Sequence, residues 1–156
     1  MTSRSIWSCS VTLAIALGCS AVVRANDASG PGVDAVRAKA AEVGGLNPMT
    51  PNPQWTPNGG VFQFYNDNDA AIYWSAATGA HLIHGDILRD WSARGFENGV
   101  GYPFDDEGPA SAICEGGVRS QSFTPDGCDL LCWSPAVFTP DGLLTDARVW
   151  LATCPI

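Results

Sequence analysis

The sequence contains the same spacing of aromatic residues twice. Phe64 precedes Trp74 by ten residues and Trp74 precedes Trp91 by seventeen; Phe123 precedes Trp133 by ten and Trp133 precedes Trp150 by seventeen. The two sets are offset by 59 positions, and the same offset takes Trp74-Ser75 to Trp133-Ser134, Ile72 to Leu131 and Arg89 to Arg148. Gly59-Gly60-Val61 matches Gly116-Gly117-Val118 at an offset of 57. Neither copy is long enough to bury an apolar face alone, so the two must stack. The repeat predicts one small domain built from two similar halves.

Each copy can be read locally. Val61 to Tyr65 and Ala71 to Ser75 are short β-rich runs joined by the turn-forming Asn66-Asp67-Asn68-Asp69, the pattern of a hairpin. Thr124-Pro125-Asp126-Gly127 fills that place in the second copy, with Pro presetting φ and Gly free to take a positive one. Thr78-Gly79 turns the chain into a third strand, Ala80 to Ile83. A helix follows from about Asp86 to Arg94, with Ile83, Ile87, Leu88 and Trp91 on one face and Gly95 closing it. Leu143 to Leu151 is expected to be the second copy of that helix. Val33, Val36, Ala40 and Val43 recur at helical spacing and end at Gly44-Gly45, which predicts an N-terminal helix. The expected class is α+β: two tandem repeats of short antiparallel strands plus one helix each, packed as one small disulfide-stabilised domain.

Arg4 followed by the apolar stretch from Ile6 to Val23 reads as a secretory signal cleaved after Ala25. The alternative is a lipoprotein signal at Ala16-Leu17-Gly18-Cys19, acylated on Cys19. Residues 26–98 would then hold the N-terminal helix and first repeat, and residues 99–156 the second. The chain carries 8 basic and 16 acidic residues. That balance argues against a nucleic-acid partner, which needs a basic face, and no membrane span follows the N-terminus. Cys114, Cys128, Cys132 and Cys154 lie beyond the signal. Four Cys in a small exported domain point to two disulfides. Cys128 and Cys132 lie about 13 Å apart on an extended strand, too far to bond. Cys114–Cys132 with Cys128–Cys154, or Cys114–Cys128 with Cys132–Cys154, remain; the hairpin ladder favours the first.

Val61-Phe62-Gln63-Phe64, then Ile72-Tyr73-Trp74-Ser75-Ala76-Ala77-Thr78-Gly79-Ala80-His81, then Gly85-Asp86-Ile87 and Trp91 resemble the LGFP-repeat family. Gly101-Tyr102-Pro103-Phe104-Asp105-Asp106-Glu107 looks like that family's Gly-x-Pro loop. The resemblance covers most of residues 33–150. It implies an exported protein that the repeat attaches to the cell envelope, in some members beside a separate catalytic domain. The second copy departs from the pattern, with Cys132 for Tyr73, Pro140 for His81 and Leu143 for His84.

Candidate contacts follow. Trp74 and Trp133 could stack on a sugar ring, but each shares a strand face with Ile72 or Leu131 and reads as core; Trp91 and Trp150 read as core on their helices. Tyr73 points to the other face, where an exposed Tyr beside Tyr65 or His81 would form a polar-aromatic surface. Tyr73, Thr78, His81 and Tyr65 are the expected ligand contacts. His81, His84 and Asp86 make an incomplete metal set, and no metal or cofactor is expected. Asp105, Asp106 and Glu107 could serve a glycosidase, although adjacent acids need not flank one bond; Glu107 is expected to hold its loop by accepting backbone N–H bonds. No Gly-x-Ser-x-Gly elbow supports a triad. The expected role is non-catalytic adhesion to extracellular or cell-envelope polysaccharide. A secreted hydrolase or a protein-binding module are the alternatives.

Overall fold

The computed structural model describes residues 29–137 and 139–154. The expected export segment, with Cys9 and Cys19, lies outside them. Among the described residues no helix is long and apolar enough to cross a membrane.

The chain is α+β. Helix α1 (Pro31–Val43) begins with a proline whose fixed φ suits the first turn, and ends at Gly44 with φ 69°. Val33 and Val36 are fully buried, but Val43, expected on the same face, is exposed at the last turn. A first antiparallel sheet follows in the order β1 (Gln54–Trp55), β2 (Val61–Tyr65), β3 (Ala70–Ser75), β4 (Gly79–His84). The β2–β3 turn places Asn66, Asp67 and Asn68 in succession at positive φ, where Asn and Asp are the best tolerated side chains. Helix α2 (Gly85–Ala93) comes next, closed by Gly95 at φ 95°. A second sheet has the order β5 (Gly108–Pro109), β6 (Arg119–Ser122), β7 (Asp129–Ser134), β8 (Arg148–Thr153).

These elements stack in layers. Val33 and Val36 of α1 cover one face of the first sheet, on Val61, Tyr65, Ala70 and Ile72. Its other face, Ala71, Tyr73 and Ile83, meets Ile87, Leu88 and Trp91 of α2, which also pack on Phe123 and Leu131 of the second repeat. Tyr73 and Trp91 meet edge to face at 4.7 Å. Helix α2 is thus the shared centre of the molecule. The far face of the second sheet is closed without a helix, by the Cys114–Cys132 disulfide with Leu130, Ile113, Trp150 and Ala152. Cys128–Cys154 is the second bridge, so the favoured pairing holds.

Strand register corrects three details of the sequence reading. Residues 143–151 are not a helix: Arg148 to Thr153 form β8, paired along β7. Proline at 140 and Gly142 at φ 81° oppose a helix, and the β-branched and aromatic run Val149-Trp150 completes the open side of β7. Second, β8 is the counterpart of β4. Tyr73 faces His81 and Trp74 faces Ala80; Cys132 faces Trp150 and Trp133 faces Val149. Trp150 and Thr153, not Pro140 and Leu143, therefore replace His81 and His84. The turn between the paired strands grows from residues 76–78 to residues 135–147. Third, Val61 faces Trp74 and Arg119 faces Trp133. Arg119, rather than Val118, corresponds to Val61, and Phe123 to Tyr65.

Corrected register exposes a buried pair that the aromatic spacing hides. Gln63 faces Ile72 and Gln121 faces Leu131. Gln63 Nε2 donates to the Thr50 carbonyl at 2.6 Å, and Gln121 Nε2 to the Asp105 carbonyl at 2.8 Å. Each acceptor lies two residues after the loop proline, Pro48 or Pro103. The next N–H after each proline also answers its partner: Met49 donates to Phe64 and Phe104 to Ser122. Each repeat therefore pins its proline loop to its own sheet in the same way. Gln121 donates a further bond to the Leu82 carbonyl at 2.8 Å, while Leu82 N–H donates to Asp106 Oδ1 at 2.9 Å. The second repeat thereby satisfies the outer edge of β4.

Candidate functional site

The four expected contacts do not form a surface. Tyr73 is 3% exposed and Tyr65 2%. Tyr73 lies inside the aromatic cluster of α2, and burial pushes its phenol pKa well above the ordinary value. Tyr65 lies under α1, donates its hydroxyl to Gln63 Oε1 at 3.0 Å, and burial pushes its pKa up to about 12. Tyr73 faces away from water because α2 covers the face that was expected to be open. Thr78 and His81 do come together: the His81 ring nitrogen Nε2 lies 2.8 Å from the Thr78 carbonyl. Thr78 Oγ1 is also 2.9 Å from Ser75 Oγ. Both residues hold the β3–β4 turn.

The loop acids diverge. Asp105 accepts from Ser122 N–H at 2.7 Å, and burial raises its pKa. Asp106 reaches Lys39 at 2.5 Å and His81 Nδ1 at 3.4 Å. Burial is the largest influence and opposes its charge, but the Lys39 and Leu82 bonds and the neighbouring positive charge together outweigh it and the pKa falls. Glu107, only 9% exposed in its side chain, meets Arg119 Nε at 2.7 Å and His84 Nε2 at 3.3 Å. It is thus held by side chains of both repeats, not by the backbone N–H groups expected for it. Among the described residues no group of three or more His, Cys, Asp or Glu is placed to hold a metal.

Glu107 opens onto a cleft of about 290 Å³ where the repeats meet, lined by His84, Asp86, Arg119 and Trp133 among others. The fold explains each wall. His84 ends β4, Asp86 sits in the first turn of α2, and Arg119 and Trp133 face each other across β6 and β7. Trp133 packs against the central core, as its strand alternation predicts, yet its indole N–H donates to Asp86 Oδ2 at 2.8 Å. Arg89 holds the other oxygen of Asp86. The Arg89 bond, assisted by the Trp133 bond, keeps the Asp86 carboxyl below its usual range despite partial burial. The cleft therefore presents an indole wall beside fixed, charged, planar hydrogen-bonding groups.

A larger hollow of about 420 Å³ runs over Ser111, Ser120, Ser122 and Thr124. Its hydroxyls are spent on turns: Ser120 Oγ accepts from Ser111 N–H, and Ser122 Oγ donates to the Thr124 carbonyl. The smaller cleft is the better site. Sequence reasoning missed Arg119 and weighed Asp86 only as part of an incomplete metal set. Each stands where the first repeat has an apolar or side-chain-free position, a contrast that appears only in the corrected register.

No curated protein matches the chain. Residues 47–99, from the first proline loop through β4 and α2, match the model of the LGFP repeat.

Proposed function

We propose that the protein is an exported, non-catalytic module that adheres to extracellular or cell-envelope glycan through the cleft between its repeats. The observation that carries this reading is the Trp133 indole set beside Arg119, Glu107, His84 and Asp86 in one open cleft. A flat aromatic wall can cover the face of a sugar ring, and convergent polar groups give orientation. Resemblance to exported envelope proteins and the two disulfides support placement outside the cell. The acidic balance of 16 against 8 favours an uncharged polymer over a polyanion.

Adhesion accounts for the carboxylates better than hydrolysis does. A glycosidase needs one carboxyl that keeps a proton and one that does not, facing each other across the bond. Asp86 is held ionised by Arg89. Asp105, whose pKa is raised, is tied to Ser122. Saturable co-sedimentation of the disulfide-bonded protein with insoluble envelope fractions or purified neutral polysaccharides tests this reading. Arg119→Ala and His84→Ala should weaken retention while the circular dichroism spectrum is kept. A folded protein retained by no polymer, or one that releases reducing ends, overturns it.

A further inference from the structure

We propose that two copies of this protein associate across a two-fold axis through the outer edge of β8, joining their second sheets into one continuous antiparallel sheet. The two sheets of the chain show why that edge needs a partner. Gly85 N–H donates to Asp69 at the end of the β3–β4 ladder, and Cys154 N–H donates to Cys128 at the end of the β7–β8 ladder. The ladders therefore run in the same phase. Leu82 faces Ile72 and Leu151 faces Leu131, so both residues turn their N–H and C=O groups away from the neighbouring strand. At Leu82 the second repeat closes both groups, through Asp106 and Gln121. At Leu151 no described residue does so, and its side chain is 38% exposed. The arm leading into β8 adds Leu143 and Leu144, 66% and 61% exposed.

The composition of β8 points to a second copy as the occupant. Arg148-Val149-Trp150-Leu151-Ala152-Thr153 has no Pro and no Lys, the devices that commonly blunt an edge. Antiparallel self-pairing centred on Leu151 sets Leu151 against its own copy, Val149 against Thr153 and Arg148 against Cys154. No like charges meet, and the outward N–H and C=O groups of Leu151 are exchanged between copies. A two-fold arrangement uses the same patch on both molecules and closes, so it ends at a dimer.

Sedimentation velocity on the protein as the producing cell delivers it, with both disulfides formed, decides the matter. The expected result is a reversible shift from one to two chain masses as concentration rises toward about 1 mM, with nothing larger. Leu151→Lys and Leu151→Glu each place like charges opposite one another and should raise the dissociation constant about tenfold or more. An equimolar mixture of those two variants should recover the dimer, because opposite charges then meet on the axis. This recovery separates an interface effect from a folding defect. A single-chain mass throughout, a Leu151→Lys variant that dimerises like the parent, or a mixture that does not recover overturns the proposal.

Discussion

The same corner of each repeat is built from different chemistry. In the first, a Cβ on Gly32 of α1 would lie 2.5 Å from the Trp74 ring and 2.7 Å from Val61. Helix and sheet meet there with no room to spare. In the second, α2 carries Asp86, the facing tryptophan is Trp133, and Val61 has become Arg119. The packed corner has become a cleft, and the indole that packs against a helix glycine in one copy is bound through its N–H in the other. One repeat keeps its apolar closure and serves as scaffold. Its twin exchanges two apolar contacts for two charges and gains a place where a ligand can enter.

The largest test of this contrast concerns how the outer faces are closed. Helix α1 covers the outer face of the first sheet, whereas a disulfide covers that of the second. Replacing Cys114 and Cys132 together by Ala should cost about 2–5 kcal/mol in urea denaturation, with the loss appearing also as weakened protection of the β7 amides. Removal of the glutamine clamps should come next. Gln121→Leu orphans two carbonyls, those of Asp105 and Leu82, and Gln63→Leu orphans the Thr50 carbonyl and the buried Tyr65 hydroxyl. At about 1–3 kcal/mol for each unsatisfied buried group, the two variants should lose comparable stability by the same denaturation measurement.

The two corners can be compared directly. Gly32→Ala forces a methyl into the Trp74 ring and should cost about 1–3 kcal/mol through overpacking. Asp86→Ala removes the hydrogen bond to a half-buried indole and should cost about 1 kcal/mol, but it should change the Trp133 fluorescence. Equal costs would mean that the two corners are less different than their contacts imply.

The smallest effect is that of pH. Asp86 and Asp106 are held below the usual carboxylate range. Their contribution is complete above the unfolded value near 4 and fades as pH falls through the folded values. Asp105, shifted upward by burial, acts in the opposite sense and gains stability on protonation. The denaturation midpoint should therefore fall only gently below pH of about 4, and Asp106→Asn should flatten that fall further.

Much of the architecture was legible because both periodicities were present. Strands β2, β3 and β4 and helix α2 lie within a residue or so of their expected limits, set by Asn66–Asn68, Gly79 and Gly95. Helix 143–151 was misread because the 17-residue tryptophan spacing matched a helix position in one copy with a strand position in the other. Short apolar runs do not distinguish the two states, and here pairing with β7 decides. Tyr73 was misplaced for a related reason. Strand alternation correctly put it opposite Trp74, but only the position of α2 shows that both faces of β3 are covered. His81 and Thr78 lie together, but their polar atoms serve a turn. Arg119 gave no signal of its own, and Asp86 was weighed only as a metal ligand, since the cleft arises from where loops, helix and sheet converge.

Sharing α2 has a consequence for how the protein unfolds. In long repeat arrays each unit can melt with little reference to its neighbours. Here Trp91, fully buried, belongs to the core of both halves at once. Opening either sheet strips one wall from that indole and leaves the other half without its lid. The two repeats should therefore melt as a single cooperative unit, with calorimetric and van't Hoff enthalpies in agreement. Duplication would then have produced two copies in sequence but one thermodynamic object, in which neither half can be traded or trimmed alone.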